Sequence, residues 1–301
     1  MRKVSFEFEV SALTPFAAPL TLAASLCAPD PGISPRAELL VCLHGATCDS
    51  SYFDARFANH AGYSFAEHFS ALGYHLLLLD HLGMGRSARP EPESQLHREL
   101  VAAANDHAVR SVVAGLREGR WFGAAPLCEL RVSGLAHSMG GMLGIVQQAR
   151  HRTFARLAVM GWSNIGVRFD GESGADAAAA VLPQGYLPAP RALMRALFHA
   201  ADVPNDLIEE DDARASLTPA GLGRAAMTPG VVAAEAAQLD CPLLLLFGEV
   251  DTSPDPGAEV TFYRASPDIR LLRLRGAAHM HNYATTRTAG WQGIASWLAA
   301  G

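Results

Sequence analysis

Ser138 lies in the stretch GLAHSMGG, residues 134–141, between a histidine and a run of glycines and just after an apolar run. A serine oxygen becomes a useful nucleophile when a base takes its proton and N–H donors receive the oxyanion that its attack creates. A sharp turn from a strand into a helix exposes such a serine and aims the positive helix end at it, provided small residues flank it. Gly140 meets that need on one side. On the other, the usual Gly-x-Ser-x-Gly pattern has Ala136 in place of glycine, one methyl larger. Taken alone, the stretch also fits an ordinary serine in the first turn of a helix.

Two further segments supply the partners such a serine needs. In GEVDTSPDP, Asp251 stands three residues beyond Gly248, where a carboxylate can orient an imidazole. Glu249 and Asp255 compete with it, and an aspartate ahead of TSPDP is also a common helix cap. In GAAHMHNY, His279 stands three residues beyond Gly276, with His281 as the competitor. The order Ser…Asp…His, each beyond the end of its own apolar run, raises the joint reading above any single motif. The segment HGATCDS, 44–50, offers the second oxyanion donor: Gly45 lets the backbone approach, and the N–H groups of Ala46 and Met139 form the pair. His44 reads as structural. The glycine-rich DHLGMGRS, 80–87, lacks the Gly-Lys-Ser/Thr ending of a phosphate loop and reads as a pocket wall. Candidate substrate contacts are Tyr52, Phe53, His137, Trp162 and Ser163, each of which fits a core or rim position equally well.

Elements that position these residues are legible as runs. Residues 4–13 alternate apolar and polar, the period of a strand, and 20–27 form a second extended run. The continuous apolar run at 39–43 and the apolar HLLLLD at 75–80 fit strands covered on both faces, and 129–135, 156–161, 242–248 and 269–276 read as further strands. Helical patterns fall at 62–72, with Phe65, Phe69 and Leu72 on one side, at 94–119, and at 284–299, with Trp291, Ile294 and Leu298. Strands alternating with helices imply an α/β fold: a mostly parallel central sheet of about eight strands with helices on both faces. The gap before 242 is about twice an ordinary crossover and holds alanine-rich helical pieces and six prolines. The expected organisation is therefore a core of 1–163 and 242–301, with 164–241 inserted as a helical cap. EEDD at 209–212 reads as a solvated helix face.

Taken together, HGAT at 44–47, DHLGMGRS, AHSMGG at 136–141, GEVD at 248–251 and AAHMH at 277–281 resemble an α/β-hydrolase-fold protein over nearly the whole chain outside the inserted segment. The resemblance implies Ser138 as nucleophile, His279 as general base and acid, Asp251 as its orienting acid, and Ala46 and Met139 as the oxyanion hole. It sets aside the haloalkane dehalogenases and epoxide hydrolases of this fold, which use aspartate at the turn. The expected activity is cleavage of an ester, thioester or lactone of a small apolar or aromatic substrate through an acyl-enzyme. Acyl transfer, cyclisation or carbon–carbon cleavage by the same triad is the alternative, and a ligand-binding protein without turnover is the reading from another class.

Bulk properties agree with a globular enzyme. Half of the 301 residues are apolar and the net charge is −6, with Lys3 the only lysine among 24 basic residues and no basic run. Nucleic acid is therefore excluded as an expected partner. Glu7 and Glu9 interrupt the N-terminal apolar pattern, against a signal peptide, and no charge-free stretch has membrane-spanning length. The five cysteines, Cys27, Cys42, Cys48, Cys128 and Cys241, show no metal spacing and read as reduced thiols of a cytoplasmic protein. No metal or organic cofactor is expected. The partner is a small-molecule acyl substrate, with no membrane, and a homodimer is kept open as the assembly.

Overall fold

A run such as Leu39-Leu40-Val41-Cys42-Leu43 carries no alternation, yet in a strand its side chains must still point to opposite faces. In the computed structural model, which describes residues 1–169, 172–173, 184–188 and 191–300, they do so into two separate cores. Leu39, Val41 and Leu43 pack with Val109 and Val112 of helix α2 (Arg98–Arg117) and with Met142 and Val146 of α3 (Met139–His151). Leu40 and Cys42 pack instead with Phe65 and Phe69 of α1 (Phe65–Ala71) and with Trp291, Ile294 and Leu298 of the C-terminal helix (Arg287–Ala299). Continuous hydrophobicity here reflects helices on both faces.

The sheet has eight strands: β1 (Arg2–Glu9), β2 (Thr21–Ala28), β3 (Glu38–Leu43), β4 (His75–Leu79), β5 (Arg131–His137), β6 (Arg156–Met160), β7 (Leu243–Gly248) and β8 (Ile269–Leu274). Their order is β1-β2-β4-β3-β5-β6-β7-β8. β2 runs antiparallel to β1 and β4, and β4 onward is parallel. All parallel strands therefore end on one rim, where ligands of open α/β sheets bind.

Boundaries differ from expectation in instructive places. The first strand stops at Glu9, whose carboxylate accepts the Ser11 N–H at 2.8 Å and starts a turn. The strand expected at 129–135 is β5, which runs on to His137 because Ala136 pairs with Leu43 and Val159, and His137 with Met160. The long helix begins only at Arg98, since Pro90 and Pro92 precede it. The first helix begins after Ser64, whose hydroxyl accepts the Glu67 N–H as a cap, and ends at Ala71, leaving Leu72 exposed.

Residues 164–241 lie between β6 and β7. Their described part holds α4 (Asn205–Ala213), α5 (Ala220–Met227) and single turns, but also two short antiparallel ribbons, Arg168–Phe169 with Glu172–Ser173 and Tyr186–Leu187 with Thr218–Pro219. The segment is thus more mixed than an all-helical insertion, and its alanine-rich run at 174–183 lies outside the described residues. The expected solvated face at EEDD fails at Asp211. That carboxylate is buried against Arg191 and faces His199 Nε2 at 3.2 Å, because α4 turns it inward. The insertion is tied to the sheet domain by polar contacts. Glu93 accepts the N–H groups of Gly185 and Gly221, and the turn after β3 exchanges hydrogen bonds with Ser216 and Thr218.

All five cysteines are free, four of them buried. Among the described residues, no helix is long and apolar enough to cross a membrane.

Candidate active site

Ser138 occupies the turn between β5 and α3 with φ 55° and ψ −125°, a conformation disfavoured for any residue with a Cβ. Neighbouring strands hold it there. Its N–H donates to Met160 O at 2.8 Å, and its carbonyl accepts the Gly141 N–H at 2.7 Å. Small residues make room on three sides. A Cβ at Gly140 would lie 2.3 Å from Leu43 O, and one at Gly45 would lie 2.8 Å from Ser138 Cβ. The methyl of Ala136 fits because its neighbour is Gly144, where a Cβ would come within 3.0 Å of it. The missing first glycine is thus compensated one turn into α3.

His279 sits on the loop after β8, and its Nε2 lies 2.9 Å from Ser138 Oγ. Its Nδ1 lies 2.7 Å from Asp251 Oδ1, on the loop after β7. Of the competing acids, Asp255 caps the turn Pro256–Glu259 through the N–H groups of Gly257 and Ala258, and Glu249 accepts the Gly276 N–H. Asp251 is the carboxylate that meets the imidazole. Burial alone would raise its pKa, but the adjacent imidazoles of His281 and His279 and the hydrogen bonds they make to it hold it well below the usual carboxylate range.

Met139 follows the serine as the first residue of α3, and Ala46 lies on the turn after β3, next to Gly45, where a Cβ would abut Ser138. Among the described residues neither N–H has a protein acceptor. A paired network braces the Ala46 turn. His81 N–H donates to His44 Nε2 at 3.4 Å, which leaves the His44 proton on Nδ1, where it meets Gly45 O at 2.8 Å. His81 donates from Nε2 to His44 O at 3.0 Å, while its Nδ1 accepts from Asn105 at 3.1 Å. Burial lowers the pKa of both rings, that of His81 to about 3, so they act as neutral struts. The structural reading of His44 stands. Asp80 likewise is architectural: buried, it accepts the N–H groups of Ser50 and Arg86.

The five expected substrate contacts divide differently. Phe53 is enclosed between Tyr52 and Phe65 and belongs to the core, because the turn Ser50–Phe53 rotates it inward. Tyr52 stacks on His137 with centroids 4.4 Å apart and accepts the Asn282 N–H, so it backs the site. His137 donates from Nε2 to His279 O at 2.8 Å. Burial, with His279 and His281 close by, pushes its pKa well below the ordinary histidine value. Trp162 packs in the core against α3, and Ser163 gives its hydroxyl to Glu259 at 2.5 Å. All five are buried.

Sequence reasoning missed the contributions of two further segments and misjudged the role of His281. Leu197 O accepts the His279 N–H and Phe198 O the Met280 N–H, both at 2.9 Å, and the Phe198 ring lies 5.6 Å from the His279 ring. Only the three-dimensional path of the insertion brings them there. Gly161, just past β6, is the second. A Cβ there would lie 2.9 Å from His279 Nδ1 and 3.1 Å from Asp251 Oδ1. A glycine directly after a strand on the active rim was the available signal. His281 does not replace His279 but approaches Asp251 from the other side, its Nε2 2.6 Å from Oδ2.

One group of metal-compatible donors occurs among the described residues, His199, Asp211 and Asp212. Arg191 already pairs with both carboxylates there, so the charge a cation would meet is neutralised.

A serine hydroxyl in reach of an imidazole that a buried carboxylate orients, beside two unengaged N–H donors, is suited to attack on a carbonyl. Comparisons with known proteins bear on the fold and the family. Among solved structures, a soluble variant of monoglyceride lipase from Saccharomyces cerevisiae superposes with a TM-score of 0.70 at 16% identity, over 93% of this chain and 91% of that one. A thermophilic esterase from Thermogutta terrifontis gives 0.65 at 18%, over 100% and 99%. The thioesterase domain from the curacin biosynthetic pathway gives 0.60 at 14%, over 98% and 99%. At such identities these likenesses concern the fold. No curated protein sequence matches the chain. Residues 40–291 match the profile of the Alpha/beta hydrolase family. That match spans most of the chain, including the ends of β3 to β8, and the chain belongs to the alpha/beta hydrolase family.

Proposed function

We propose that the protein is a serine hydrolase that cleaves a carboxylic ester-type bond (ester, thioester or lactone) through an acyl-enzyme on Ser138. The observation that carries this reading is the 2.9 Å approach of His279 Nε2 to Ser138 Oγ, with Asp251 on the opposite ring nitrogen. In the proposed cycle Ser138 Oγ adds to the acyl carbon while its proton passes to His279 Nε2. The carbonyl oxygen, now an anion, accepts from the N–H groups of Ala46 and Met139; one such donor contributes about 3 kcal/mol in related chemistry. The intermediate collapses, the bond to the leaving oxygen or sulfur breaks, and His279 returns the proton to that atom. Water then repeats the sequence on the acyl-serine and frees the acid.

Residues 164–241 are proposed as the cap. Support comes from Leu197 and Phe198, which close over His279. The apolar ring of Phe198 at this position favours an apolar or aromatic acyl group, because an apolar wall contributes by removing its surface from water.

The test is labelling with a fluorophosphonate probe, followed by a panel of chromogenic esters, thioesters and lactones with and without an acceptor alcohol. Ser138 should be the labelled residue, and Ser138→Ala should abolish both labelling and turnover without changing the melting temperature. A folded protein that takes no label defeats the reading. Product formed only when the alcohol is present would assign acyl transfer instead.

A further inference from the structure

Asp251 accepts four hydrogen bonds. Oδ1 takes His279 Nδ1 and the Thr252 N–H, each at 2.7 Å, and Oδ2 takes His281 Nε2 at 2.6 Å and the Gly248 N–H at 2.7 Å. Two imidazoles therefore share one buried carboxylate. The contact at Oδ2 fixes a proton. The Gly248 N–H also points toward His281 Nε2, at 3.2 Å, but its closer acceptor is Oδ2; were Nε2 bare, it would face Oδ2 acceptor to acceptor at 2.6 Å, so the hydrogen lies on Nε2 and points at Oδ2. His281 Nδ1 is then the bare nitrogen, and it is buried with no partner among the described residues. A second proton there would be an N–H donor sealed from water without an acceptor. The ring is further held from its own backbone, since His281 N–H donates to His279 O at 2.9 Å, the oxygen that also receives His137 Nε2.

We infer that His281 is a positioning residue: it acts through Asp251, fixing the carboxylate plane toward His279 and withdrawing part of its negative charge. This rests on the triad reading proposed above. The carboxylate would otherwise direct its full charge at His279. A donor on Oδ2 spreads that charge. Removing it strengthens the pull of Asp251 on a protonated His279, so the acidic limb of the pH profile moves upward. Other titratable groups face this arrangement: His137 from β5, its ring 4.7 Å from His279 and 5.4 Å from His281; Tyr52, stacked on His137; and Tyr283 on the same turn. Behind Tyr283 stand Arg191, Asp211 and His199, while Glu249 turns away to the Gly276 N–H. All are kept in the variants below and cancel in the comparison.

The experiment compares wild type, His281→Phe and His281→Gln. The Phe variant removes the donor, and the Gln amide restores one near the position of Nε2. Fluorophosphonate labelling of Ser138 across pH should show the acidic limb about one pH unit higher in His281→Phe and returned in His281→Gln. A folded His281→Phe with an unmoved limb overturns the inference. Histidine-selective ¹⁵N NMR of the wild type supplies a readout that needs neither turnover nor a foldable variant. It should show His281 with its proton on Nε2, and a proton on Nδ1 at neutral pH would overturn the assignment. Absence of labelling in wild type counts against the hydrolase reading alone, while the NMR result still decides the role of His281.

Discussion

His279 Nδ1 and Asp251 Oδ1 lie 2.7 Å apart, and the side chain of Asp251 is 1% exposed. A carboxylate so withdrawn persists only because four donors surround it. The strands do the placing. β7 ends at Gly248, whose N–H reaches back to Asp251, and β8 ends close enough that its following loop delivers His279 to the same point. Gly161 keeps the space between β6 and the two side chains clear.

Replacing this acid should separate it from its neighbours. Asp251→Asn turns one acceptor into a donor and forces His279 into the wrong tautomer, so turnover should drop about 10⁴-fold. Asp255→Asn and Glu249→Gln touch a helix cap and a loop N–H, so they should leave the rate within a few-fold and cost at most about 1 kcal/mol in stability. Steady-state rates on one chromogenic ester, with melting temperatures, decide this. A mild Asp251→Asn beside a severe Asp255→Asn would reverse the assignment.

Phe198 tests whether the insertion shapes the substrate site. Its ring is buried above His279, while its backbone carbonyl holds the Met280 N–H whatever the side chain. Phe198→Ala should therefore raise KM for apolar acyl groups about tenfold, with a smaller change in kcat. Stability should also fall, by about 3 kcal/mol. Titrating acyl chain length separates the two effects: an equal KM change for acetyl and for long or aromatic acyl esters would mean that the ring does not line the acyl site.

The triad candidates were legible because each follows a strand-like run, and a parallel sheet brings such ends to one rim. Ser138, Asp251 and His279 needed only that rule. The sequence could not say which way an imidazole points, so His281 read as a rival of His279 when both face Asp251. Tyr52 and Phe53 misled for a related reason. Adjacency to the HGAT loop places them near the site, but a single turn rotates both into packing. Leu197 and Phe198 were invisible because they reach His279 and Met280 through main-chain carbonyls, which no residue type announces. Asp211 failed the solvated-face reading because its partner, Arg191, is twenty residues away in sequence.

Buried histidines should make the protein sensitive to mild acid. Burial lowers the pKa of His44, His75, His81 and His137, that of His75 to about 4. The native rings stay neutral while the unfolded chain takes up protons near pH 6.5. Stability from these groups is thus fully present above about pH 6.5 and is lost as pH falls toward their folded values, by up to ~1.4 kcal/mol per pH unit for each ring. Urea unfolding from pH 8 to 5 should show that decline. His75→Leu, at the start of β4 and outside the triad, should flatten the slope by up to one proton. A stability that stays level across this range would contradict the neutral-strut reading.

Ala136 and Gly144 should behave as a coupled pair. A helix interior gains about 1 kcal/mol when glycine becomes alanine. At position 144 that gain is opposed, because the new Cβ would lie 3.0 Å from the Ala136 methyl, with Leu157 and Leu43 methyls at an ordinary 3.5 Å. Gly144→Ala alone should therefore be neutral or destabilising, since packed interiors resist added methyl groups. Ala136→Gly alone should cost about 0.5–1 kcal/mol through strand flexibility. Together the two changes should recover much of both losses, with a coupling energy of about 1 kcal/mol in a double-mutant cycle by urea unfolding. Strict additivity would mean that the two positions do not share the space. Ala136→Gly should leave the ester rate within a few-fold of wild type, because Ser138 is held by Met160 O on β6 and confined by Gly45 on the turn after β3.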